Sequence, residues 1–250
     1  VGSCGWPTAP WPQLIRCCVA RVPLPEVAMG SSFGIDIGGT GIKGAPVDCD
    51  SGALIGERHR IPTPSNSTPD AVADVVAEIV EHHGWNGPVG IAMPSVVIDG
   101  VVHTAANIDD AWIGVDGRAL FAERLGVDVE LLNDADAAGL AEMRCGAGRD
   151  VAGVVLVVTM GTGIGSSLFI DGRLVPNTEL GHLEFAGESI EAYAAASARE
   201  RDGLSWGQWA ARVDEFCAVV ERLFSPDMMI FGGGASKKAH KWIDSLHTRA

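Results

Sequence analysis

The sequence has no apolar run that reaches the roughly 18 to 20 residues needed to cross a bilayer, and it has few basic residues. Its 18 lysines and arginines are outnumbered by 32 acidic residues, which gives a formal net charge of −14. This charge would repel a nucleic-acid backbone, and no basic stretch interleaved with aromatic residues offsets it. We therefore expect a soluble chain that takes neither a membrane nor a nucleic acid as its partner.

Cysteine is also scarce, and the six cysteines that are present have no paired spacing suited to a zinc site. Reduced thiols in a cytoplasmic protein are the simplest interpretation of this usage, so we expect a cytoplasmic location. The remaining composition, with 47% hydrophobic and 20% charged residues, is typical of a globular protein that has one large core or two moderate ones.

The first 30 residues lack an initiating Met, contain five prolines and show no basic segment followed by an apolar one. This composition suits neither a signal peptide nor a core element. We predict that residues 1–30 form a disordered or non-native tail and that translation begins at Met29.

The most informative pattern that is present consists of a strand, a glycine-rich turn and a second strand, and it occurs twice. The first copy spans residues 33–44 and the second spans residues 154–170. In each copy a hairpin follows, so both halves of the chain share one order of elements. An internal duplication with one copy per lobe explains this order, and we place the two lobes at residues 31–134 and 135–250.

The two glycine clusters admit three interpretations. Gly39-x-Gly41-x-x-Gly44 fits the dinucleotide-binding fingerprint, but that motif needs a helix directly after the turn, and here the chain continues as a β-branched strand. A tight bend alone would explain glycines that need a positive φ. Two copies, each with a threonine (Thr40 and Thr162) that can donate to phosphate, favour anion binding at both turns.

Asp36 lies within the otherwise apolar first strand, where a carboxylate needs a hydrogen-bond partner or an ion. It could hold a water bound to Mg²⁺, which typically keeps several waters and shares its coordination with substrate phosphates. The alternative is a buried hydrogen-bond acceptor without a binding role. We favour the Mg²⁺ interpretation.

Asn133 and Asp134 follow a predicted strand over residues 127–132. In open α/β sheets, ligands bind at this carboxyl edge. Asp134 could instead cap the helix predicted over residues 136–144, a role that Asp136 could fill as well. Because one cap needs only one carboxylate, we predict that Asp134 is free for chemistry.

A further polar cluster follows the second hairpin, where Glu179, His182 and Glu184 lie within six residues of one another. Carboxylates accept hydrogen bonds from sugar hydroxyls, and imidazole can donate or accept. A single histidine is more often structural, but the neighbouring Glu179 favours sugar binding.

Helix and strand signals fill the intervals between these motifs. The predicted helices run from Pro69, after Thr68 as N-cap, to Gly84, and over residues 136–144, 188–201 and 206–224, with another that begins near Lys237. The predicted strands lie at residues 42–47, 53–56, 89–93, 127–132 and 228–231, with a hairpin around Asp99 and Gly100.

Taken together, these residues resemble the ROK group of sugar kinases. The match covers nearly all of residues 33–245 and has five motifs: Asp36-x-Gly38-Gly39-Thr40, Asn133-Asp134-Ala135, Gly161-Thr162-Gly163-Ile164-Gly165, Glu179-x-Gly181-His182 and Gly232-Gly233-Gly234. The resemblance implies an α/β fold of the actin-like (RNase H-like) type, duplicated into two lobes with a central cleft. It also implies a homodimer, and a second lobe that is truncated at its end.

The resemblance further implies a role for each site residue. Those expected to contact glucose are Asn107, Asn133, Asp134, Glu179, His182 and Glu191. Those expected to bind phosphate or nucleotide are Asp36, Gly38, Gly39, Thr40, Gly41, Lys43, Thr162, Gly163, Gly165, Gly233 and Gly234. Many relatives hold zinc through a cysteine cluster beside the signature histidine. Residues 185–189 contain no cysteine, so we expect Mg²⁺ and no zinc.

Segments 104–107, 112–114 and 176–179 are similar to the polyphosphate glucokinase branch of this group. The implied reaction transfers a terminal phosphoryl group to the 6-hydroxyl of glucose, with Asp134 as general base. An ATP-only hexokinase and a sugar-binding relative without catalysis are the alternatives. A sugar-sensing transcriptional regulator would need a helix-turn-helix module ahead of residue 33, and the proline-rich tail offers none.

The sequence does not show whether the phosphoryl donor is inorganic polyphosphate, ATP or both. A long polyanion would need a basic track that leads from the turns, and ordinary solvated surface is the alternative interpretation of the cations there. The candidates for such a track are Arg144, Arg149, Lys237, Lys238 and Lys241.

Overall fold

Two mixed β-sheets organise the chain. The computed structural model describes residues 30–106, 108–185 and 187–250. The predicted tail over residues 1–30, apart from its last residue, and Asn107 therefore lie outside the described residues. From Ser31 to Ala250 the chain forms one compact unit.

The first half supplies a five-stranded sheet, a small hairpin and the helices around them. Its elements are β1 (Ser31–Gly38), β2 (Gly41–Asp48), β3 (His59–Ile61), α1 (Pro69–His82), β4 (Val89–Met93), β5 (Val97–Ile98), β6 (Val101–Val102), α2 (Gly117–Leu125), β7 (Val129–Asn133) and α3 (Asp134–Cys145).

The five-stranded sheet has the strand order β3-β2-β1-β4-β7. Strands β1, β2 and β3 pair antiparallel, whereas β4 runs parallel to both β1 and β7. Asp36 aligns with Ala92 of β4, and Met93 aligns with Asn133 of β7. The parallel register therefore brings Asp36 and the start of α3 to the same edge of the sheet.

The second half supplies a four-stranded sheet and three helices. Its elements are β8 (Val154–Met160), β9 (Ile164–Ile170), β10 (Arg173–Val175), β11 (Glu184–Phe185), β12 (Glu188–Ser189), α4 (Ile190–Ala194), α5 (Ala196–Arg201), α6 (Trp206–Phe224) and β13 (Met228–Gly232).

The order β10-β9-β8-β13 repeats the order β3-β2-β1-β4 of the first sheet. In both sheets three antiparallel strands are followed by one parallel strand. This shared topology confirms the internal duplication that the two glycine turns predicted. The boundary between residues 134 and 135 stays a prediction.

Helix α1 begins and packs as its sequence predicted. Pro69 at the first position has a preset φ, and Asp70 in the first turn suits the positive end of the helix dipole. Thr68 occupies the N-cap position, but its side chain makes no capping hydrogen bond. Val76 and Ile79 are fully buried in the first core cluster, where each such side chain contributes roughly 1.5–3 kcal/mol.

Helix α6 has the bounds that the sequence predicted. A capping box starts it, because the Ser205 hydroxyl accepts from the Gln208 N–H and the Gln208 side chain accepts from the Ser205 N–H. Trp209 and Phe216 are fully buried in the core of the second half. In the part of the chain that the structure describes, no helix combines the length and apolar character that a membrane span needs.

Three predicted elements were wrong. The strand at residues 53–56 is only a single bridge at Leu54, because Leu54 and Ile55 are exposed and have no face to bury. The helix over residues 188–201 is broken into α4 and α5 by the extended backbone of Ala195. The helix near Lys237 is a 3-10 segment over Gly234–Lys241, with a kink at Lys238.

Candidate active site

The first glycine turn is a two-residue hairpin connection between β1 and β2. Gly38 pairs with Gly41, and Gly39 and Thr40 form the exposed tip. Neither Gly38, Gly39 nor Gly41 has a positive φ, so the interpretation of these glycines as bends that need left-handed backbone was wrong. The guanidinium of Arg60 packs against Gly41, because a Cβ placed on Gly41 would lie 2.5 Å from it.

Asp36 precedes this turn on β1 and faces Lys43 on β2. The Lys43 ammonium donates to Asp36 Oδ2 across 3.2 Å, and both side chains reach solvent. The interpretation of Asp36 as a buried acceptor was therefore wrong, since the carboxylate is exposed and paired with a cation. Lys43, predicted to bind phosphate, lies one strand from Asp36 and two positions after the turn.

Arg60 of β3 lies beside the first turn, and none of the sequence motifs contains it. It pairs across the sheet with Lys43, and one of its terminal nitrogens donates to the Thr40 carbonyl across 2.7 Å. Asp36, Lys43 and Arg60 therefore form one cross-strand row. The only signal for Arg60 in the sequence was its basic charge, because β3 has just three residues and no alternating pattern.

The second glycine turn connects β8 to β9, with Met160 paired to Ile164 around Gly161, Thr162 and Gly163. The Thr162 carbonyl accepts from the hydroxyl of Ser197 at the start of α5. Like the first turn, it has no glycine with a positive φ. Neither turn therefore depends on a glycine in the left-handed region.

Glu191 lies against the second turn. Its Oε2 accepts from the Ile164 N–H across 2.8 Å, and a Cβ on Gly163 would overlap this carboxylate. Glu191 was predicted to contact glucose, and that role stays a prediction. In the structure its carboxylate holds a backbone amide of the turn, so this N–H already has an acceptor.

Helix α3 begins between the two turns. Gly165 of β9 lies so close to it that an added Cβ would be 2.9 Å from Ala135 Cβ. Asn133 is the N-cap, because its Oδ1 accepts from the N–H groups of Ala135 and Asp136. The prediction that Asp134 is not needed as the cap is confirmed, but the cap is Asn133 rather than Asp136.

Asp134 is the first residue of α3, and its Oδ1 accepts from the Ala135 N–H across 2.8 Å. Its side chain reaches solvent, yet enough protein surrounds it that desolvation raises the pKa of the carboxyl. The nearby charges of Asp36 and Glu179 raise it further, while the Ala135 hydrogen bond acts in the opposite direction. These interactions place Asp134 among the predicted phosphate and sugar residues.

Asn133 links α3 to the predicted sugar-binding segment. Its Nδ2 donates to the Ser95 carbonyl at 3.1 Å and to Glu179 Oε1 at 3.3 Å. Glu179 Oε2 lies 4.0 Å from His182 Nε2 at the exposed side of the cluster. The structure therefore brings together Asn133, Asp134, Glu179 and His182, while Asn107 lies outside the described residues.

Asp136 is a second residue whose role the sequence did not reveal. It is 1% exposed, and its Oδ2 accepts from the Asn177 N–H across 2.8 Å. Its Oδ1 is buried and has no hydrogen-bond partner among the described residues. Burial raises its pKa to about 6, opposed by the Asn177 bond and reinforced by the charges of Glu179 and Asp134.

Asn177 extends this contact to the β5–β6 hairpin. Its Oδ1 accepts from the Val97 N–H at 3.0 Å, and its Nδ2 donates to the Val97 carbonyl at 2.9 Å. Asn177 has a φ of 57°, which asparagine tolerates better than most residues. The segment that precedes Glu179 is therefore hydrogen-bonded to the first half of the chain, through the contacts of Asn177 with Asp136 and Val97.

The third glycine turn follows β13. Gly233 has a φ of 76°, and a Cβ on it would lie 2.7 Å from the Met160 carbonyl oxygen at the end of β8. Only glycine satisfies both conditions. Gly233 and Gly234 are exposed beside the second turn, and their predicted contact with the nucleotide side of the donor stays a prediction.

The acidic groups of the site suit a hard cation only in part. No three His, Cys, Asp or Glu side chains within the described ranges form a group that could hold a metal ion. Asp36 carries an exposed carboxylate that could act as an oxygen ligand, and its charge contributes to the raised pKa of Asp134. Such a ligand fits Mg²⁺, because Mg²⁺ binds through one or two carboxylates and completes its coordination with waters and substrate phosphates.

Comparison with known proteins gives one consistent family. The chain matches the model of the ROK family over residues 32–195. The polyphosphate glucokinase of Mycobacterium tuberculosis (strain CDC 1551 / Oshkosh) is 50% identical over 218 residues, which cover 87% of this chain and 82% of that relative.

Two solved structures extend the likeness to the fold. Inorganic polyphosphate/ATP-glucomannokinase from Arthrobacter sp. strain KM is 51% identical, with a TM-score of 0.83 over 88% of this chain and 90% of that one. A ROK family glucokinase from Streptomyces griseus, in complex with glucose and AMPPNP, is 25% identical, with a TM-score of 0.73 over 87% of each chain. The predicted actin-like α/β fold is confirmed, and the chain belongs to the ROK family.

Proposed function

We propose that this chain is a glucokinase that transfers a terminal phosphoryl group from inorganic polyphosphate, with or without ATP as a second donor, to the 6-hydroxyl of glucose. A polyphosphate glucokinase and a polyphosphate/ATP-glucomannokinase are 50% and 51% identical to it over most of the chain. The proposal also covers the order of the site along the sheet edge, with the donor at the glycine turns and the sugar at the Asn133 and Glu179 cluster.

The observation that carries the proposal is the position of Asp134. Its carboxylate lies on the first residue of α3, directly after Asn133, whose amide donates to Glu179, and burial together with the charges of Asp36 and Glu179 raises its pKa. A raised pKa makes its carboxylate a stronger base than an ordinary aspartate, which favours general-base catalysis near neutral pH. A group held between donor and acceptor is the group that can deprotonate the attacking hydroxyl.

In the proposed step the 6-hydroxyl oxygen of glucose forms a bond to the terminal phosphorus while its proton passes to Asp134. The bond from that phosphorus to the bridging oxygen breaks, and the shortened polyphosphate or ADP leaves. Lys43 and backbone N–H groups of the turns would stabilise the charge that develops on the phosphoryl oxygens.

The sugar would lie against Asn133, Glu179 and His182. The Glu179 carboxylate is already oriented by the Asn133 amide, and its other oxygen and the exposed His182 ring can accept from or donate to sugar hydroxyls. Such preorganised groups hold the acceptor in one orientation relative to Asp134. Asn107 and Glu191 complete the predicted set of glucose contacts.

Mg²⁺ belongs to the proposal as a cofactor. Asp36 would hold it through a water, together with oxygens of the donor phosphates. When bound, Mg²⁺ neutralises part of the charge on the transferred group. A homodimer, which the resemblance implies, and a cytoplasmic location, which the cysteine usage favours, are parts of the same proposal.

Product formation with each donor tests the function. The purified chain is incubated with glucose, Mg²⁺ and either long-chain polyphosphate or ATP, and glucose 6-phosphate is measured. The proposal predicts product with polyphosphate, and mannose in place of glucose shows how selective the acceptor site is. Product with ATP alone would favour the ATP-only hexokinase, and glucose binding without any product would favour a non-catalytic sugar-binding relative.

A further inference from the structure

The two glycine turns differ in the charge that borders them. At the second turn, the carboxylate of Glu191 accepts from the Ile164 N–H. At the first turn the bordering side chain is the guanidinium of Arg60, which lies over Gly41 and donates to the Thr40 carbonyl. In a chain of net charge −14, the first turn is therefore the more favourable of the two for an extended phosphate chain.

Arg60 is also poorly neutralised by its surroundings. Lys43, its cross-strand neighbour, has Asp36 as its counter-ion at 3.2 Å. Arg60 has no carboxylate within ion-pair distance among the described residues, and its described side-chain hydrogen bond goes to a neutral carbonyl. Its side chain is exposed. Several of its five N–H donors are thus open to an anion.

The direction of the cross-strand row matters as well. The register of β1, β4 and β7 brings Asp36 and the start of α3 to one edge of the sheet. From Asp36 the row leads through Lys43 to Arg60, on the side of β1 that lies away from β7. Neighbouring strands are about 4.8 Å apart, so β3 lies roughly 10 Å from β1. Arg60 is therefore displaced from Asp134 toward the edge of the sheet, away from the transferred phosphoryl group.

From these observations we propose that Arg60 is a donor-binding residue that contacts phosphates beyond the transferred one. This inference rests on the proposed function and adds to it a residue outside the glycine motifs. The planar guanidinium can bind phosphate oxygens in bidentate fashion. The triphosphate of ATP and inorganic polyphosphate share this chemistry, and the experiment distinguishes them.

Four variants separate a phosphate contact from a structural role. Arg60→Ala removes the side chain, and Arg60→Gln keeps an amide that can donate to Thr40 while it removes the charge. Arg60→Lys keeps the charge without the planar fork. Arg58→Ala is the matched control, because Arg58 is exposed two residues earlier in the same segment. Binding of tripolyphosphate, long-chain polyphosphate and ATP is measured by calorimetry, and KM is measured for each donor and for glucose.

Arg60→Ala and Arg60→Gln should each weaken polyphosphate and tripolyphosphate binding by about 10- to 100-fold, the usual strength of a hydrogen bond to a charged group. Arg60→Lys should be intermediate, while Arg58→Ala and every KM for glucose should stay within about twofold of wild type. Added salt should reduce the difference between wild type and Arg60→Ala. An equal loss with ATP places Arg60 at the second or third phosphate, and a loss confined to polyphosphate places it further along the chain.

The inference is overturned if Arg60→Ala and Arg58→Ala weaken binding equally, if Arg60→Gln binds polyphosphate like wild type, or if the variants raise the KM for glucose as much as that for the donor. Because calorimetry needs no turnover, it remains informative if the wild type phosphorylates nothing. In that case the proposed function fails while a binding loss at Arg60 still supports the phosphate contact.

Discussion

Replacing Asp136 with Asn should change how the stability of the protein depends on pH. Asp136 is 1% exposed, and burial raises its pKa from 3.8 to about 6. The folded state therefore holds a proton that the unfolded state releases between about pH 4 and pH 6. Stability falls as pH rises through this window, because above it the folded chain must bury a carboxylate.

The magnitude follows from the same shift. A difference of about 2 pKa units corresponds to about 3 kcal/mol of unfolding free energy over the complete transition. About half of that loss should appear between pH 5 and pH 8. Asn cannot ionise, and its amide oxygen can still accept from the Asn177 N–H. Relative to wild type, Asp136→Asn should thus become more stable by about 1.5 kcal/mol as the pH is raised from 5 to 8.

Urea unfolding of both proteins across this pH range measures the difference. Subtraction removes the contribution of groups common to both, including His83, whose pKa is lowered chiefly by burial and which would add stability as pH rises. Asp128→Asn, at an exposed position, controls for the loss of one negative charge. A stability difference between Asp136→Asn and wild type that does not vary with pH would refute the reasoning.

Three further substitutions test individual contacts. Gly163→Ala should force the Glu191 carboxylate away from the second turn. Because Glu191 is one of the predicted glucose contacts, kcat/KM for glucose should fall at least tenfold, an estimate of about 1.4 kcal/mol, and unchanged glucose kinetics would contradict the tight packing of the turn. Gly41→Ala should displace the Arg60 guanidinium. We expect weaker polyphosphate binding by calorimetry and an unchanged KM for glucose, and a selective rise in the KM for glucose would contradict this expectation. Ser205→Ala removes the capping box of α6. It should lower the unfolding free energy by about 1 kcal/mol without altering either KM. Urea unfolding that shows no loss of stability would contradict a stabilising role of the capping box.

Local sequence signals were sufficient to predict an element where the residues within that element determine its structure. Helix α6 was predicted with its observed bounds, because apolar residues recur at helical spacing within it. The structure adds the capping box of Ser205 and Gln208, which reinforces the same start. The duplicated strands and turns were also predictable, because buried runs that end in glycine appear twice. The nearby segment at residues 53–56 failed, since exposed Leu54 carries the same strand signal without a buried face.

Only those site residues that belong to a local sequence motif could be predicted from the sequence. Two cap-competent carboxylates, Asp134 and Asp136, left the cap ambiguous, and only the structure shows that Asn133 both caps α3 and orients Glu179. The contact between Asp136 and Asn177 joins residues 41 positions apart, so no local pattern contains it. Arg60 was missed for the same reason, because its importance comes from its register on the sheet.

The most direct test of the account is the Asp134→Asn variant, measured for turnover and for glucose binding in parallel. If Asp134 is the general base, glucose 6-phosphate formation should fall by about 10²- to 10⁴-fold. Glucose binding, followed by calorimetry, should stay largely intact, because Asn133, Glu179 and His182 are unchanged. Retention of more than about one hundredth of wild-type turnover would contradict the assignment of Asp134 as the group that accepts the hydroxyl proton.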